Sequence, residues 1–255
     1  MKKDNKKAYE LAGVVDEYLK LQHLFEPEKA IIERFINQLP TTKMLDIGIG
    51  SGRTTAFFAP LVYEYTGIDY GENFINVCKK RFSEHPGYRF LNCDVTDMGV
   101  FNDNYFDLAF FSYNGLDSVS HSQRISAYKE IKRVLKQSGC FIFSAHNLNS
   151  INKLYKIKDG ASFIGTIKSI AKTLILIALN GFPKRFATLP HSHIVDGTHR
   201  FKLSLYYIRP HEQVKQLTEA GFTNIEVISM HTGEVIPENE YQQNSDPWVY
   251  YLCRA

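Results

Sequence analysis

The chain has 255 residues, 44% of them apolar and 22% charged, with a formal net charge of +3. These values are ordinary for a soluble globular protein, and the length admits one α/β domain with a sizeable insertion. Without a clustered patch so small a net charge does not argue for a nucleic-acid footprint, and no nucleic-acid partner is expected. The four cysteines form no C-x-x-C pair and no zinc spacing, so no metal is expected either. Cys93 and Cys140 fall in strand-like runs, where a reduced cysteine acts as a small buried hydrophobe. That suits a cytoplasmic location. The basic start, residues 1–7, leads into no apolar signal-peptide core and reads as a solvated end. The strongest membrane candidate, from Thr173 to Pro183, falls short of the roughly 20 apolar residues a spanning helix needs, so no stable membrane insertion is expected.

In chain order, Tyr9 to Leu39 reads as two helices, with Pro27 at the start of the second. From Lys43 to His146 short apolar runs alternate with helical stretches, the pattern of a parallel sheet wound by crossovers. Strands are expected at Met44–Ile47, Tyr65–Ile68, Arg89–Cys93, Phe106–Phe111 and Cys140–Ala145. The fourth is almost unbroken in apolar residues, as a central strand covered on both faces should be. Helices are expected from about Arg53 to Leu61, through Phe74, Val77, Cys78 and Phe82, and from about His121 to Gln137. Ser120 and Gln123 form a capping-box pattern at the start of the last, and Gly139 sits where a C-terminal glycine cap belongs. Leu148 to about Arg209 breaks the rhythm and contains one strongly apolar helical stretch near Phe163–Phe182. Regular order returns with a helix from His211 to Ala220 and strands at Ile225–Met230 and Trp248–Cys253.

Gly48, Gly50 and Gly52 follow the first strand and open a helix, where glycine permits a tight turn and close approach of backbone N–H groups to a ligand. Their G-x-G-x-G spacing departs from the dinucleotide G-x-G-x-x-G. Asp46 lies inside the end of the strand, costly unless it faces a ligand or ordered water. Asp69 ends the next strand about 20 residues on, where a ribose-diol acceptor is expected. Asp94 ends the third. Three acids along one sheet edge line the usual ligand crevice of an open α/β fold, although a single strand-end aspartate is as readily a cap or surface residue.

With these features the sequence resembles the class I S-adenosylmethionine-dependent methyltransferases, from Met44 to His146 and again from His211 to Arg254. The segment L-D-I-G-x-G-x-G-x-x-T is similar to their first motif. The resemblance implies a Rossmann-like, seven-stranded, mostly parallel sheet with helices on both faces, whose last strand inserts antiparallel, and an inserted helical lid. It implies S-adenosylmethionine as cofactor, with Asp46, Gly48, Gly50 and Gly52 at the loop and Asp69 with the adjoining Tyr70 at the ribose. Asp94 and Val95 would hold the adenine, and Phe111 and Ser112 would line the methionine end. The chain then divides into N-terminal helices and cofactor core (1–147), lid and acceptor-binding segment (148–209) and completion of the core sheet (210–255). A nicotinamide oxidoreductase or a non-catalytic module on the same fold are the competing readings.

Methyl transfer from a sulfonium is an in-line displacement, so the protein mainly supplies proximity and orientation. A hydroxyl acceptor also needs a base, whereas a neutral amine attacks with its own lone pair. His146, just past the fifth strand, is the first candidate base, because imidazole titrates near neutral pH; the alternative is a histidine that only fixes the loop. Asp117 would orient His146 or the acceptor, or else is a turn residue. His191, His193, Asp196 and His199 fit no standard metal site, and His199 is a candidate substrate contact on a loop turned back over the crevice. Phe163, Ile164, Ile167, Ile170, Ala171, Leu174, Ile175 and Ala178 form a broad helical stripe opposite Lys168 and Lys172. Packing on the core or across a homodimer is the first reading of that stripe; a membrane surface or lipid-linked acceptor is the second. Tyr155, Tyr206 and Tyr207 could stack on a ring. A small-molecule or saccharide acceptor methylated at oxygen is expected, with an amine such as an amino sugar as the alternative.

Overall fold

The computed structural model describes Asn5, residues 13–157 and residues 163–255. The expected solvated start at residues 1–7, and the helix expected from Tyr9 as far as residue 12, lie outside the described residues except at Asn5. The Asn5 side chain donates to the Ser118 and Ser204 carbonyls and accepts from Ser204 N–H. Helices α1 (Val14–Lys20) and α2 (Glu26–Phe35) precede the sheet, and Pro27 stands in the first turn of α2.

Strands β1 (Lys43–Ile47), β2 (Glu64–Asp69), β3 (Arg89–Asn92), β4 (Phe106–Phe111) and β5 (Leu135–Asn147) are parallel, in the order β3-β2-β1-β4-β5. Helices α3 (Thr55–Phe58), α4 (Glu72–Arg81) and α5 (His121–Val134) make the crossovers. The side-chain alternation of a strand splits β5 between two cores. Phe141, Phe143 and Ala145 pack with Tyr128 and Ile131 of α5, whereas Cys140 and Ile142 pack with Ile31 of α2 and Ile75 of α4. Both faces are therefore covered by helices.

The chain closes the sheet with β8 (Thr223–Ser229) and β9 (Trp248–Arg254). β9 runs antiparallel between β5 and β8, from Cys140↔Arg254 to His146↔Trp248 on its β5 side. The seven-stranded core order is thus β3-β2-β1-β4-β5-β9-β8 with one reversed strand, as expected from the resemblance.

Ser120 caps α5 through the expected box, accepting from Gln123 N–H while its own N–H donates to Gln123 Oε1. The other end of α5 differs from expectation. The helix stops at Val134, Leu135 is already extended, and Gly139 lies inside β5 rather than at a helix cap. The β4–β5 register jumps between Phe106↔Leu135 and Leu108↔Cys140, so the residues around Gly139 are accommodated as a bulge.

The segment after β5 is not purely helical. It holds α6 (Ile151–Leu154), α7 (Phe163–Asn180) and a hairpin of β6 (His191–Ile194) and β7 (Leu205–Ile208). Its beta-prone Leu-Tyr-Tyr-Ile run pairs in parallel with the last residues of β5, His146↔Tyr207 and Asn147↔Ile208. Because β9 already occupies the other edge of His146, β7 extends along the edge that β4 leaves free beyond Phe111. Arg209 donates to the carbonyls of Phe186, Ala187 and Leu189, pinning the segment to the start of α8 (Pro210–Glu219). The apolar stripe of α7 does not pack on the core: Leu176 and Asn180 face inward, while Phe163, Ile164, Ile167, Ile170, Leu174 and Ile175 are exposed.

Candidate functional site

The carboxyl ends of β1 and β2 set the first half of the site. Gly48 has φ +65°, and a Cβ there would lie 2.4 Å from the Phe111 ring, so only glycine fits beneath it. Asp69 is buried and accepts from Gly50 N–H at 3.0 Å and Gly71 N–H at 2.8 Å. Burial raises its pKa to about 6, against the lowering effect of those two backbone bonds. A carboxylate offers about four acceptor positions, so Asp69 retains capacity for a diol. It shares a narrow cavity with Tyr70, Phe74, Val95, Phe111 and Ser112, roofed by the Tyr18 ring from α1. An acidic acceptor between apolar and aromatic walls is the chemistry a nucleoside requires.

The remaining candidates fall in three places. Asp46 is buried one step back, where its Oδ2 accepts from Thr54 at 2.6 Å and Tyr65 at 2.7 Å; burial raises its pKa to about 6 in spite of both bonds. Gly52 turns away from the cavity, since a Cβ there would meet Phe82 at 2.6 Å and Cys78 at 3.2 Å. It serves close packing on α4. Asp94 is exposed and caps its own turn, accepting from Thr96 N–H and Oγ1–H at 2.8 Å; Cys93 and Val95 line the cavity in its stead.

A network that the sequence reading missed ties α2 to the loop. Glu28, fully buried, receives Arg53 through two bonds of 2.5 and 2.7 Å. Arg53 also donates to Ser112 at 2.9 Å, and Tyr250 of β9 donates to Glu28 at 2.9 Å. Ser112 therefore spends its hydroxyl on Glu28 as well as lining the crevice. Glu28 and Arg53 lie 25 residues apart, and no local pattern joins them.

The second half lies at the end of β5. His146 Nδ1 is 2.8 Å from Asp117 Oδ2, which also accepts from His146 N–H at 2.7 Å. Asp117 and Arg124 are both fully buried, and Arg124 donates to Asp117 Oδ1 at 2.7 Å and to Gln213 Oε1 at 2.7 Å. A carboxylate can only accept, so Nδ1 carries a proton, and in the neutral ring the lone pair is on Nε2. The imidazole stacks on Tyr207 at 4.6 Å, and Asn114 Nδ2 stands 3.4 Å from Nε2. Tyr113 and Asn114 both have left-handed backbones, φ +55° and +59°, an uncommon conformation for so bulky a residue as tyrosine and a form of strain that clusters at functional sites.

His146, Asn114 and Tyr207 face a cavity of about 960 Å³ between β5, α6, α7 and the loop after β6. Tyr18 and Tyr113 line both this cavity and the crevice over Asp69, so the two spaces abut at those rings. Asn114 Oδ1 and Trp248 Nε1, on residues of the cavity wall, are buried without a hydrogen-bond partner. Asp196 accepts from Tyr207 Oη at 2.9 Å and Thr198 N–H at 2.8 Å. His199 stacks on Tyr18 at 6.2 Å, whereas His191 and His121 stack on each other at 4.7 Å beside buried Tyr206. Burial lowers the His191 pKa. Of the three tyrosines expected to stack on a ring, only Tyr207 reaches the cavity.

Residues 44–139 match the family model described as a methyltransferase domain. This segment is similar to the methyltransferase domains of that family. It holds the glycine loop, Asp69 and Asp117. A demethylmenaquinone methyltransferase of Staphylococcus aureus is 30% identical over 142 residues, covering 52% of this chain and 57% of that protein. The chain spans about half the length of the curated relatives it matches. Among solved structures, an S-adenosylmethionine-dependent methyltransferase from Clostridium acetobutylicum aligns over 95% of this chain and 96% of its own, with TM-score 0.62 and 14% identity. The 1,6-didemethyltoxoflavin-N1-methyltransferase of Burkholderia thailandensis, bound to its substrate and S-adenosylhomocysteine, aligns over 98% of this chain and 87% of its own, with TM-score 0.60 and 15% identity. Over nearly its whole length the chain therefore shares the Rossmann-like fold of those two methyltransferases.

Proposed function

We propose that this protein is an S-adenosylmethionine-dependent methyltransferase that acts on a small-molecule or saccharide acceptor at oxygen. The observation that carries it is the Asp117–His146 pair, which faces a large cavity sharing a wall with the crevice over Asp69. S-adenosylmethionine, when bound, supplies an electrophilic methyl group. Gly48 and Gly50 would border it, Asp69 would take the ribose hydroxyls, and Val95, Phe74 and Phe111 would enclose the base. Tyr70 and Ser112 complete that wall. Asp94 keeps only a proposed backbone contribution, because its carboxylate is engaged with Thr96.

His146 is the proposed general base. Its Nε2 accepts the proton of an acceptor hydroxyl, and Asp117, anchored by Arg124, holds the ring and stabilises the imidazolium. The described residues between 148 and 209 would form the acceptor lid. Among the described residues, Lys153, Lys156, Lys168 and Lys172 line the cavity with one acid, Asp196, which is already engaged. That excess favours an acceptor bearing a negative charge, such as a carboxylate or phosphate.

Calorimetric titration with S-adenosylmethionine and S-adenosylhomocysteine tests the donor; absence of binding by folded protein overturns the reading. Labelled-methyl transfer into separated small-molecule, lipid, RNA and protein fractions identifies the acceptor, with label expected in an anionic small-molecule fraction.

A further inference from the structure

We infer that the outer face of α7 is a docking surface for an anionic phospholipid membrane, on which the protein lies without crossing it. Among the described residues, nine of the fifteen large hydrophobic side chains that stand exposed lie between Ile157 and Phe182. On α7 they gather on one side: Phe163, Ile167, Ile170 and Leu174 follow helical spacing, flanked by Ile164 and Ile175. The opposite side holds buried Leu176 and Asn180. A contiguous apolar strip of this size on a soluble domain marks an interaction surface.

Charge identifies the occupant. Residues 148–209 contain ten lysines and arginines against two aspartates, a net of +8. The rest of the chain contains twenty against twenty-five and is net −5. The positive charge is thus concentrated on the segment that carries the apolar strip. Lys184 and Arg185 follow exposed Phe182 at the end of the strip. Apolar side chains rimmed by cations fit the interfacial region of an anionic bilayer, where each added cation strengthens binding. A second copy of this chain would place two +8 segments face to face.

α7 is eighteen residues long with mean hydropathy 1.5, enough by length and composition to cross a membrane. Its inward face argues for lying flat instead. Asn180 donates to Val195 O and accepts from Val195 N–H, and Lys168, Ser169, Lys172 and Thr173 line the large cavity. A spanning helix would forfeit both.

Co-sedimentation with vesicles of phosphatidylcholine, with and without phosphatidylglycerol, tests the inference. Binding is expected to be at least about tenfold tighter to the phosphatidylglycerol vesicles and to weaken as salt rises. The double variant Ile167→Asp/Leu174→Asp changes only exposed positions outside the cavity and should lose vesicle binding while melting like the parent. Lys184→Glu should weaken binding without touching the strip. Absence of vesicle binding at low salt, or undiminished binding by the double variant, overturns the inference. So does a solution dimer that the same double variant dissociates. None of these outcomes depends on methyl transfer.

Discussion

Asp117 Oδ2 accepts from both the backbone N–H and the ring Nδ1–H of His146, at 2.7 and 2.8 Å. One oxygen thereby fixes the imidazole's position and its tautomer, and the other is held by Arg124. His146→Ala should lower turnover by about 10²–10⁴-fold with cofactor affinity nearly intact, as seen by comparing single-turnover rates with calorimetry. Asp117→Asn cannot satisfy both partners, because one end of the amide is a donor facing either Arg124 or His146. It should lose turnover and also about 3–5 kcal/mol of stability, the usual cost of breaking a buried ion pair. Denaturant unfolding separates the two effects. A variant that unfolds early yet turns over normally would remove Asp117 from the proposed mechanism.

Asp69 makes a prediction about the donor. Asp69→Asn should weaken S-adenosylmethionine binding by more than about tenfold, since a hydrogen bond to a charged group contributes roughly 1.5–3 kcal/mol. The same carboxyl sets a pH dependence. With its pKa raised to about 6, it is ionised at pH 7.5 and increasingly protonated below 6, where one oxygen becomes a donor. Cofactor affinity should therefore fall as pH drops from 7 to 5, with proton uptake accompanying release of ligand. Calorimetry at several pH values checks this, and Asp69→Asn should flatten the profile.

Much of this site was legible in the sequence because its parts are local. The glycine turn, the aspartates at the ends of β1 and β2, the place of Asp117 in the turn after β4 and that of His146 at the end of β5 each follow from short-range patterns. What short-range patterns leave out has one cause. Gly52 belongs to the glycine turn, and the space beside it is closed by Phe82 after α4, 30 residues away. Asp94 stands at the expected strand end, yet its nearest donors are on Thr96, two residues on. Glu28 and Arg53 find each other only through the tertiary fold. The α7 stripe showed correct periodicity, but periodicity gives the apolar side of a helix and not what covers it.

Asp46 should cost stability at neutral pH. Its pKa is raised by burial to about 6, above the roughly 3.9 of an unfolded aspartate. The native state thus binds its proton more tightly, and this contribution favours folding below about pH 4 and fades as pH rises through 6. Asp46→Asn keeps an oxygen for Thr54 and Tyr65, both of which bond to the same Oδ2. At pH 7.5 the variant should be more stable by roughly 1–3 kcal/mol, and the gain should vanish near pH 4. Paired urea titrations at the two pH values measure it. Loss of stability at both would mean that the charge itself supports the loop, through Arg53.

The lysines of the large cavity predict how the acceptor is held. Lys153, Lys156, Lys168 and Lys172 come from α6, the chain after it and α7, and Lys153 donates to Ser245 O. Among the described residues, no carboxylate pairs with Lys156 or Lys172. If they hold an anionic acceptor, Lys156→Glu and Lys172→Glu should each raise KM for it by about tenfold, a Coulombic change of roughly 1–2 kcal/mol per charge reversed near a surface. The maximal rate should stay close to the parent's, because neither side chain touches the base, His146. Added salt should raise the parent's KM in the same direction, since a cavity open to solvent is screened within about 8 Å at physiological ionic strength. A neutral acceptor would leave KM indifferent to both the charge reversals and the salt. Steady-state kinetics on the acceptor recovered from the labelled fraction distinguishes the two.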